Sequence, residues 1–135
     1  PLPPYGACLL GSINLARLVA NPFETGADLD EEQLSELVAT AVRMMDNVVD
    51  ASKFPLEQQA QEARNKRRIG LGVTGLADAL LMLGLRYGSK EAAAQTEKWM
   101  KAIARSSYLA SLFKTIVGYL NWRTGSTTKE CKGFS

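Results

Sequence analysis

The sequence contains no histidine and only two cysteines, Cys8 and Cys131. Without histidine, the chain lacks Ser-His and Cys-His nucleophile pairs, two-histidine zinc motifs and any imidazole acid or base. Two cysteines near opposite ends are too few and too far apart for a disulfide framework or a zinc ligand set. The residues of this chain alone therefore supply little of the chemistry of a complete active site.

Net charge and long apolar runs are also scarce. The 16 basic and 14 acidic side chains leave a formal charge of +2, which gives no field strong enough to attract nucleic acid or an anionic membrane. No apolar run approaches the roughly 20 residues that span a bilayer, and the first residues lack the pattern of a secretory signal. We therefore expect a cytoplasmic protein that binds neither nucleic acid nor membranes. Its 135 residues, 46% of them hydrophobic, suffice for the core of one domain.

Apolar spacing in the first half of the chain predicts a short strand and a long helix. The apolar run over 7–15 follows a proline-rich lead and is typical of a short buried strand. Asp30 and Gln33 have the spacing of a capping box, so a helix is predicted to start there and to end near Ser52. The helix has one apolar stripe, which we expect to lie in the core with both methionines: Leu37, Val38, Ala41, Met44, Met45, Val48 and Val49.

The second half predicts another short strand among three helices. A proline can open a polar helix over 56–66, and residues 68–73 are typical of a strand. A helix over 76–83 is expected to end before a glycine, and a longer helix follows over about 90–112. The longer helix is expected to bury one side, comprising Trp99, Met100, Ile103 and Ala104.

A basic cluster and a glycine-rich run separate two of these helices. The cluster is Arg64, Lys66, Arg67 and Arg68, which we interpret as a solvated helix end that offsets the helix dipole rather than as a phosphate site. Gly70, Gly72 and Gly75 match the G-x-G-x-x-G spacing of dinucleotide-binding domains. A dinucleotide site also needs a second parallel strand soon after the helix, and none is predicted. We therefore favour a packing role for the glycines and retain a dinucleotide-binding oxidoreductase as an alternative.

Two longer segments have a recognisable order of residues. The run Pro4-Tyr-Gly-Ala-Cys-Leu-Leu-Gly-Ser-Ile-Asn-Leu15 resembles the P-Y-x-x-C-N-L-G-S-I-N-L segment of ribonucleotide reductase large (catalytic) subunits, with Leu9 where that family usually has Asn. The run Arg67-Arg-Ile-Gly-Leu-Gly-Val-Thr-Gly-Leu-Ala-Asp-Ala-Leu80, with Gly84-Leu-Arg-Tyr-Gly-Ser89, is similar to the same family's barrel. The proline-rich lead is most similar to the adenosylcobalamin-dependent (class II) type.

The resemblance implies an α/β fold, in which this chain is part of a ten-stranded α/β barrel and is itself mostly helical. It covers residues 1–112 as a partial barrel domain, whereas residues 113–135 form a tail that does not resemble the family. In that family a finger loop inside the barrel presents the cysteine that becomes a thiyl radical. Its N-x-C-G-E-Q motif would lie immediately before Pro1, so we expect the radical cysteine to be outside this chain.

The same resemblance implies a role for Cys8 as one of two redox-active cysteines, distinct from the radical cysteine. In the implied cycle, a ribonucleotide becomes a 2′-deoxyribonucleotide while a dithiol is oxidised to a disulfide. The partner cysteine is not in this chain, because Cys131 lies in a polar tail with no motif around it. From the residues alone, without the flanking match, the favoured interpretation of Cys8 is a small buried hydrophobe.

The resemblance also implies the setting of the parent enzyme. It would be a ribonucleoside-diphosphate reductase with adenosylcobalamin as cofactor, a ribonucleotide as substrate and a thioredoxin-like protein as reductant, and a homodimer is a further expectation. We expect this chain by itself to be inactive. A second alternative is a helical interaction module whose apolar stripes pack against a partner and in which Cys8 has no role.

Overall fold

The computed structural model describes residues 2–124, with side chains described for residues 2–112. In this part of the chain the elements follow one another in this order: β1 (Leu9–Asn14), a 3₁₀ helix (Leu15–Leu18), β2 (Val19–Ala20), β3 (Asp28–Leu29), α1 (Glu31–Ala51), α2 (Glu57–Lys66), β4 (Ile69–Thr74), α3 (Leu76–Met82) and α4 (Lys90–Thr124). The two strands predicted over 7–15 and 68–73 are confirmed as β1 and β4, but the predicted burial of the first strand is wrong, because Ile13 is the one buried residue of β1. The four predicted helices are present as well.

The two longer strands form a parallel pair. β1 and β4 are in register from Leu9 opposite Ile69 to Asn14 opposite Thr74, and α1 and α2 make the crossover between them. A connection through helices is what a parallel pair requires, because its strands start at the same edge. β2 and β3 form a separate antiparallel ladder of two residues each. The described residues are thus mostly helical, with few strands and no closed barrel.

The core lies between this parallel pair and the helices, chiefly α1 and α4. α1 contacts β1, β4 and α4, and Trp99 of α4 is completely buried. Gly11 of β1 allows the sheet and α1 to approach closely, since a Cβ at this position would lie 3.0 Å from the Met45 sulfur. The side of the parallel pair that faces α1 is therefore the covered side.

The N-terminus of α1 forms as predicted, but its buried face is narrower than predicted. Asp30 caps the helix by accepting a hydrogen bond from the Gln33 backbone N–H at 2.8 Å. The buried residues of α1 are Leu34, Val38, Val42, Met45 and Val49. The placement of three further residues in the core is wrong, because their side chains are exposed: Leu37, Met44 and Val48. Since the sheet and α4 are the main elements that pack against α1, the face that turns away from both remains open to solvent.

α4 runs beside α1 in the same direction. The Lys98 ammonium contacts the Glu31 carboxylate at 2.6 Å, and further along both helices the Ser106 hydroxyl donates to that of Ser35 at 3.2 Å. The predicted burial of Trp99 and Ile103 is confirmed, with Met100 partly buried, whereas Ala104 is exposed. The helix also continues past the predicted end to Thr124, and no proline follows residue 112 to stop it.

No helix among residues 2–124 is long and apolar enough to cross a membrane. Cys131 and the rest of the segment 125–135 lie outside the described residues. The predicted separation of a tail over 113–135 therefore stays a prediction.

Candidate redox site

Cys8 lies immediately before β1 and is exposed. A turn precedes Cys8 in the chain. This turn is closed by a hydrogen bond from the Gly6 N–H to the Pro3 carbonyl at 2.9 Å. Tyr5 in this turn has a φ of 61°, the positive value that a type II turn requires at its third residue, with Pro4 before it. The proline-rich lead thus forms a fixed turn that ends at the start of the strand.

The Cys8 side chain lies on the sheet face opposite α1. A Cβ built on Gly70, in the neighbouring strand, would lie 3.9 Å from the Cys8 sulfur and 2.8 Å from the Leu10 Cδ2. Residues 8 and 10 therefore share a face, as the two-residue period of a strand requires. The Leu10 side chain therefore crosses over β4 at the position of Gly70. Leu10 itself is 77% exposed, so this face of the sheet is open.

An exposed thiol at the start of a hydrogen-bonded strand can meet another thiol without rearrangement of the chain. A disulfide needs the two Cα atoms within roughly 4.4–6.8 Å of each other. Cys8 is the one cysteine among the described residues, so the structure brings no partner to it. The described residues therefore supply at most one thiol, that of Cys8, to a dithiol pair.

A small cavity adjoins Cys8 at the edge of the sheet where both strands begin. Its volume is about 120 Å³, and it lies between the start of β1, the end of α1 and the α2 helix, lined by Ala7, Cys8, Leu9, Val49, Ser52, Phe54, Ala63 and Arg68. Pockets for small-molecule ligands usually have roughly 300–1,000 Å³. This cavity is therefore too small to hold a nucleotide or a large cofactor.

Two members of the basic cluster at the end of α2, Arg67 and Arg68, are held in ion pairs. The Arg67 guanidinium contacts the Asp46 carboxylate at 2.7 Å and the Asp50 carboxylate at 2.6 Å, and Arg68 contacts Glu62 at 2.9 Å. The hydrogen bonds from Arg67 hold the pKa of Asp50 below its ordinary value of 3.8 and outweigh the opposing effect of burial, and the charges of Arg67 and Arg64 also lower it. Arg67 and Arg68 thus serve protein contacts in this structure.

The glycine-rich run is the strand β4 and its turn into α3. Gly75 has a φ of +67° and precedes α3, which has seven residues. No strand follows α3 among residues 2–124, so the second parallel strand of a dinucleotide site is absent from that range. The described residues also contain no group of three or more His, Cys, Asp or Glu side chains that could hold a metal ion. Neither the dinucleotide alternative nor a metal centre gains support here.

The sequence interpretation missed two contacts, one near Cys8 and one at the opposite end of β1. One is the pairing of Arg67 with Asp46 and Asp50, for which two acidic residues four apart at the end of a helix are a usable signal. The other is the fit of Asn14 against Gly75, where a Cβ would collide with the Asn14 side-chain oxygen. Neither the two acidic residues nor the glycine indicates, in the sequence, which distant residue it contacts.

Comparison with known proteins agrees with the resemblance in the sequence. The model of the family described as "Ribonucleotide reductase, barrel domain" matches residues 2–115. The chain is 47% identical over 111 residues to a vitamin B12-dependent ribonucleoside-diphosphate reductase of Thermoplasma acidophilum, covering 82% of this chain and 14% of the relative. It is 42% identical over 111 residues to the enzyme of the same name from Mycobacterium tuberculosis, covering 82% of this chain and 15% of the relative.

A more distant relative has a different description. The ribonucleoside-diphosphate reductase subunit alpha of Chlamydia pneumoniae is 38% identical over 104 residues, which are 77% of this chain and 10% of the relative. In the relatives from Thermoplasma acidophilum and Mycobacterium tuberculosis, the chain spans only 14% and 15% of the length. The similarity thus concerns one segment of much longer proteins.

Proposed function

The chain belongs to the ribonucleotide reductase barrel-domain family, and from that premise we propose that it is part of an enzyme that reduces ribonucleotides to 2′-deoxyribonucleotides. Within that enzyme, Cys8 is one of two redox-active cysteines and is distinct from the radical cysteine. The observation that carries this role is the place of Cys8, exposed at the start of β1 inside the segment that the family model matches.

The electrons of the reaction come from two thiols. In the proposed cycle a thiyl radical abstracts the ribose 3′ hydrogen, the 2′ hydroxyl leaves as water, and a hydrogen takes its place at the 2′ carbon. The 3′ hydrogen then returns to the ribose, which regenerates the thiyl radical. Two thiols, Cys8 and a cysteine outside this chain, give up two electrons and two protons and become a disulfide. A thioredoxin-like dithiol then reduces that disulfide, so its own thiols are oxidised in turn.

The position of Cys8 suits this cycle physically. The strand that follows it is hydrogen-bonded to β4 along its length, so the start of the strand is held in place. The sheet face that Cys8 shares with Leu10 is open to solvent, and a substrate, a second thiol and a reductant could each approach from that side. We infer that this face is turned towards the interior of a ten-stranded barrel, most of whose strands lie outside this chain.

Substrate and cofactor follow from the relatives. Because these are named ribonucleoside-diphosphate reductases, and two of them vitamin B12-dependent, we propose a ribonucleoside diphosphate as substrate and adenosylcobalamin as the source of the radical. The cavity of about 120 Å³ beside Cys8 does not fit a corrin ring. The cofactor is therefore assigned to other parts of the parent enzyme, and no step that involves it is assigned to the residues described here. A homodimer and a cytoplasmic location complete the proposal.

Replacement of Cys8 by serine in the enzyme that contains this chain tests the redox role. We expect Cys8→Ser to lose multiple turnovers with thioredoxin as reductant, because serine cannot form the disulfide that thioredoxin reduces. The measurement is deoxyribonucleotide formed per enzyme over many turnovers. Cys131→Ser is the matched control, since it removes a thiol from a segment without a redox motif and should leave turnover unchanged. Full turnover by Cys8→Ser would refute the assignment.

A further inference from the structure

Arg67, at the junction of α2 and β4, has a backbone conformation that arginine rarely adopts. Its φ is 44° and its ψ is 49°, in the left-handed region. Many helices end in a residue of this conformation, but the residue is usually glycine because a Cβ is strained there. Such strain persists where surrounding contacts hold the residue in place. The side chain of Arg67 is therefore expected to make contacts that glycine could not.

The guanidinium group of Arg67 makes four hydrogen bonds to the end of α1. Its Nη1 and Nη2 donate to the two carboxylate oxygens of Asp50 at 2.6 and 3.0 Å. Its Nε donates to the Asp46 carboxylate at 2.7 Å, and Nη2 also donates to the Asp46 backbone carbonyl at 2.9 Å. This forked geometry is available to arginine and not to lysine, whose ammonium is a single point of charge. Arg67 thus fixes the junction to α1 in one orientation.

The junction in turn holds the strand that carries Cys8. The residue after Arg67 is Arg68, and its backbone carbonyl accepts a hydrogen bond from the Leu9 N–H at 3.1 Å. Leu9 directly follows Cys8 and opposes Ile69, which begins β4. An unbroken series of contacts therefore connects the end of α1 to the Cys8 backbone: the α1 carboxylates, the Arg67 guanidinium, the Arg68 carbonyl and the Leu9 amide.

We propose that Arg67 is a positioning residue for the Cys8 thiol, which it places by fixing the Arg68 carbonyl that holds Leu9. The importance of this placement for the reaction rests on the proposed function, in which Cys8 is a redox-active cysteine. The placement itself is a property of the folded chain and is measurable without turnover. If Arg67 had a purely structural role, its loss would loosen all of α1 and α2 together. If Arg67 positions Cys8, its loss loosens the start of β1.

Arg67→Gly in the full 135-residue chain separates the guanidinium from the backbone. Glycine adopts the left-handed conformation without strain, so the variant is expected to fold. We expect hydrogen exchange of the Leu9 amide to become about tenfold faster, while exchange of the Val42 amide within α1 changes less than about twofold. The Cys8 ¹³Cβ resonance, which reports on local conformation, should shift in the same variant.

Three further variants make this result specific. Asp50→Asn weakens the forked contact from the other side and should accelerate Leu9 exchange in the same direction but by less, because the two hydrogen bonds from Arg67 to Asp46 remain. The double variant, Asp50→Asn with Arg67→Gly, should exchange the Leu9 amide little faster than Arg67→Gly alone, because both substitutions remove the same interaction. Val38→Ala is the control: it deletes buried volume from α1 more than two turns away from Asp46, so it lowers overall stability without touching the contact. It should leave the ratio of Leu9 to Val42 exchange unchanged.

Three outcomes would overturn the proposal: unchanged Leu9 exchange in Arg67→Gly, an equal change of the Leu9 to Val42 ratio in Val38→Ala, or a Cys8 resonance that does not move. None of them depends on whether Cys8 carries electrons. Conversely, full turnover by Cys8→Ser would remove the redox role and leave the measured placement of Cys8 intact. The two proposals can therefore fail separately.

Discussion

Gly75 shows at the scale of one residue how a missing side chain shapes the end of the strand pair opposite to Cys8. Asn14 accepts a hydrogen bond from the Ala16 N–H at 3.1 Å and so starts the 3₁₀ helix at the end of β1. A Cβ on Gly75 would collide with the Asn14 side-chain oxygen and lie 3.2 Å from the Ala16 Cβ. Glycine at this position therefore lets the ends of β1 and β4 lie side by side, which is the packing role favoured from the sequence.

Gly75→Ala is predicted to lower the free energy of unfolding by about 2–4 kcal/mol, the sum of left-handed strain and the clash with Asn14. Urea denaturation of the folded chain measures this. Gly84→Ala is the matched control, because Gly84 has a φ of +73° but nothing within 4 Å of the added Cβ. That variant should lose about 1–2 kcal/mol from strain alone. Equal losses of stability in the two variants would contradict the prediction, because they would show that the Asn14 side chain moves aside without lowering the free energy of unfolding.

α1 shows at the scale of one element what apolar spacing predicts and what it leaves open. The capping box and the three- and four-residue spacing located the helix and its general apolar side. They did not give the width of the buried face, because this width depends on which elements pack there. Two adjacent methionines illustrate the difference: Met45 is 2% exposed and Met44 is 60% exposed. The sequence pattern had placed both in the core.

Met45→Ala is predicted to lower the free energy of unfolding by about 2–5 kcal/mol, because it leaves a cavity between α1 and the sheet. Met44→Ala, one residue away on the same helix, should change it by less than about 0.5 kcal/mol, as is usual for exposed positions. Urea denaturation of both variants provides the comparison. Similar losses would mean that α1 presents a different face to the sheet.

At the scale of the whole molecule, the residues that the structure describes contain a parallel strand pair that they cover on one face only. Parallel sheets are normally covered on both faces, and open strand edges are sites of association. Here α1 covers one face, whereas Leu10 on the other face is 77% exposed. The chain spans 14–15% of the length of two of its relatives, which agrees with our proposal that the remaining barrel strands lie elsewhere in the parent enzyme.

We therefore predict that the isolated 14.7 kDa chain associates with itself as its concentration rises. Leu10→Ser should shift sedimentation velocity profiles towards the monomer, because it removes the largest apolar contact on the open face of the sheet. Leu109→Ser, an exposed position on α4, is the control and should leave association unchanged. A chain that remains monomeric throughout, or an equal effect of both substitutions, would contradict the role of the open sheet.

The sequence by itself determined the family, the two main strands, the four helices and the candidate Cys8. These depend on residue order and on spacing within a few residues, where caps, turns and periodicity act. The tertiary structure alone decided the parallel pairing of β1 with β4, the open face on which Cys8 lies and the contact of Arg67 with Asp50. Each of these joins residues 17 or more positions apart. Local spacing carries no information about such partners, because they meet only when the helices and the sheet pack together.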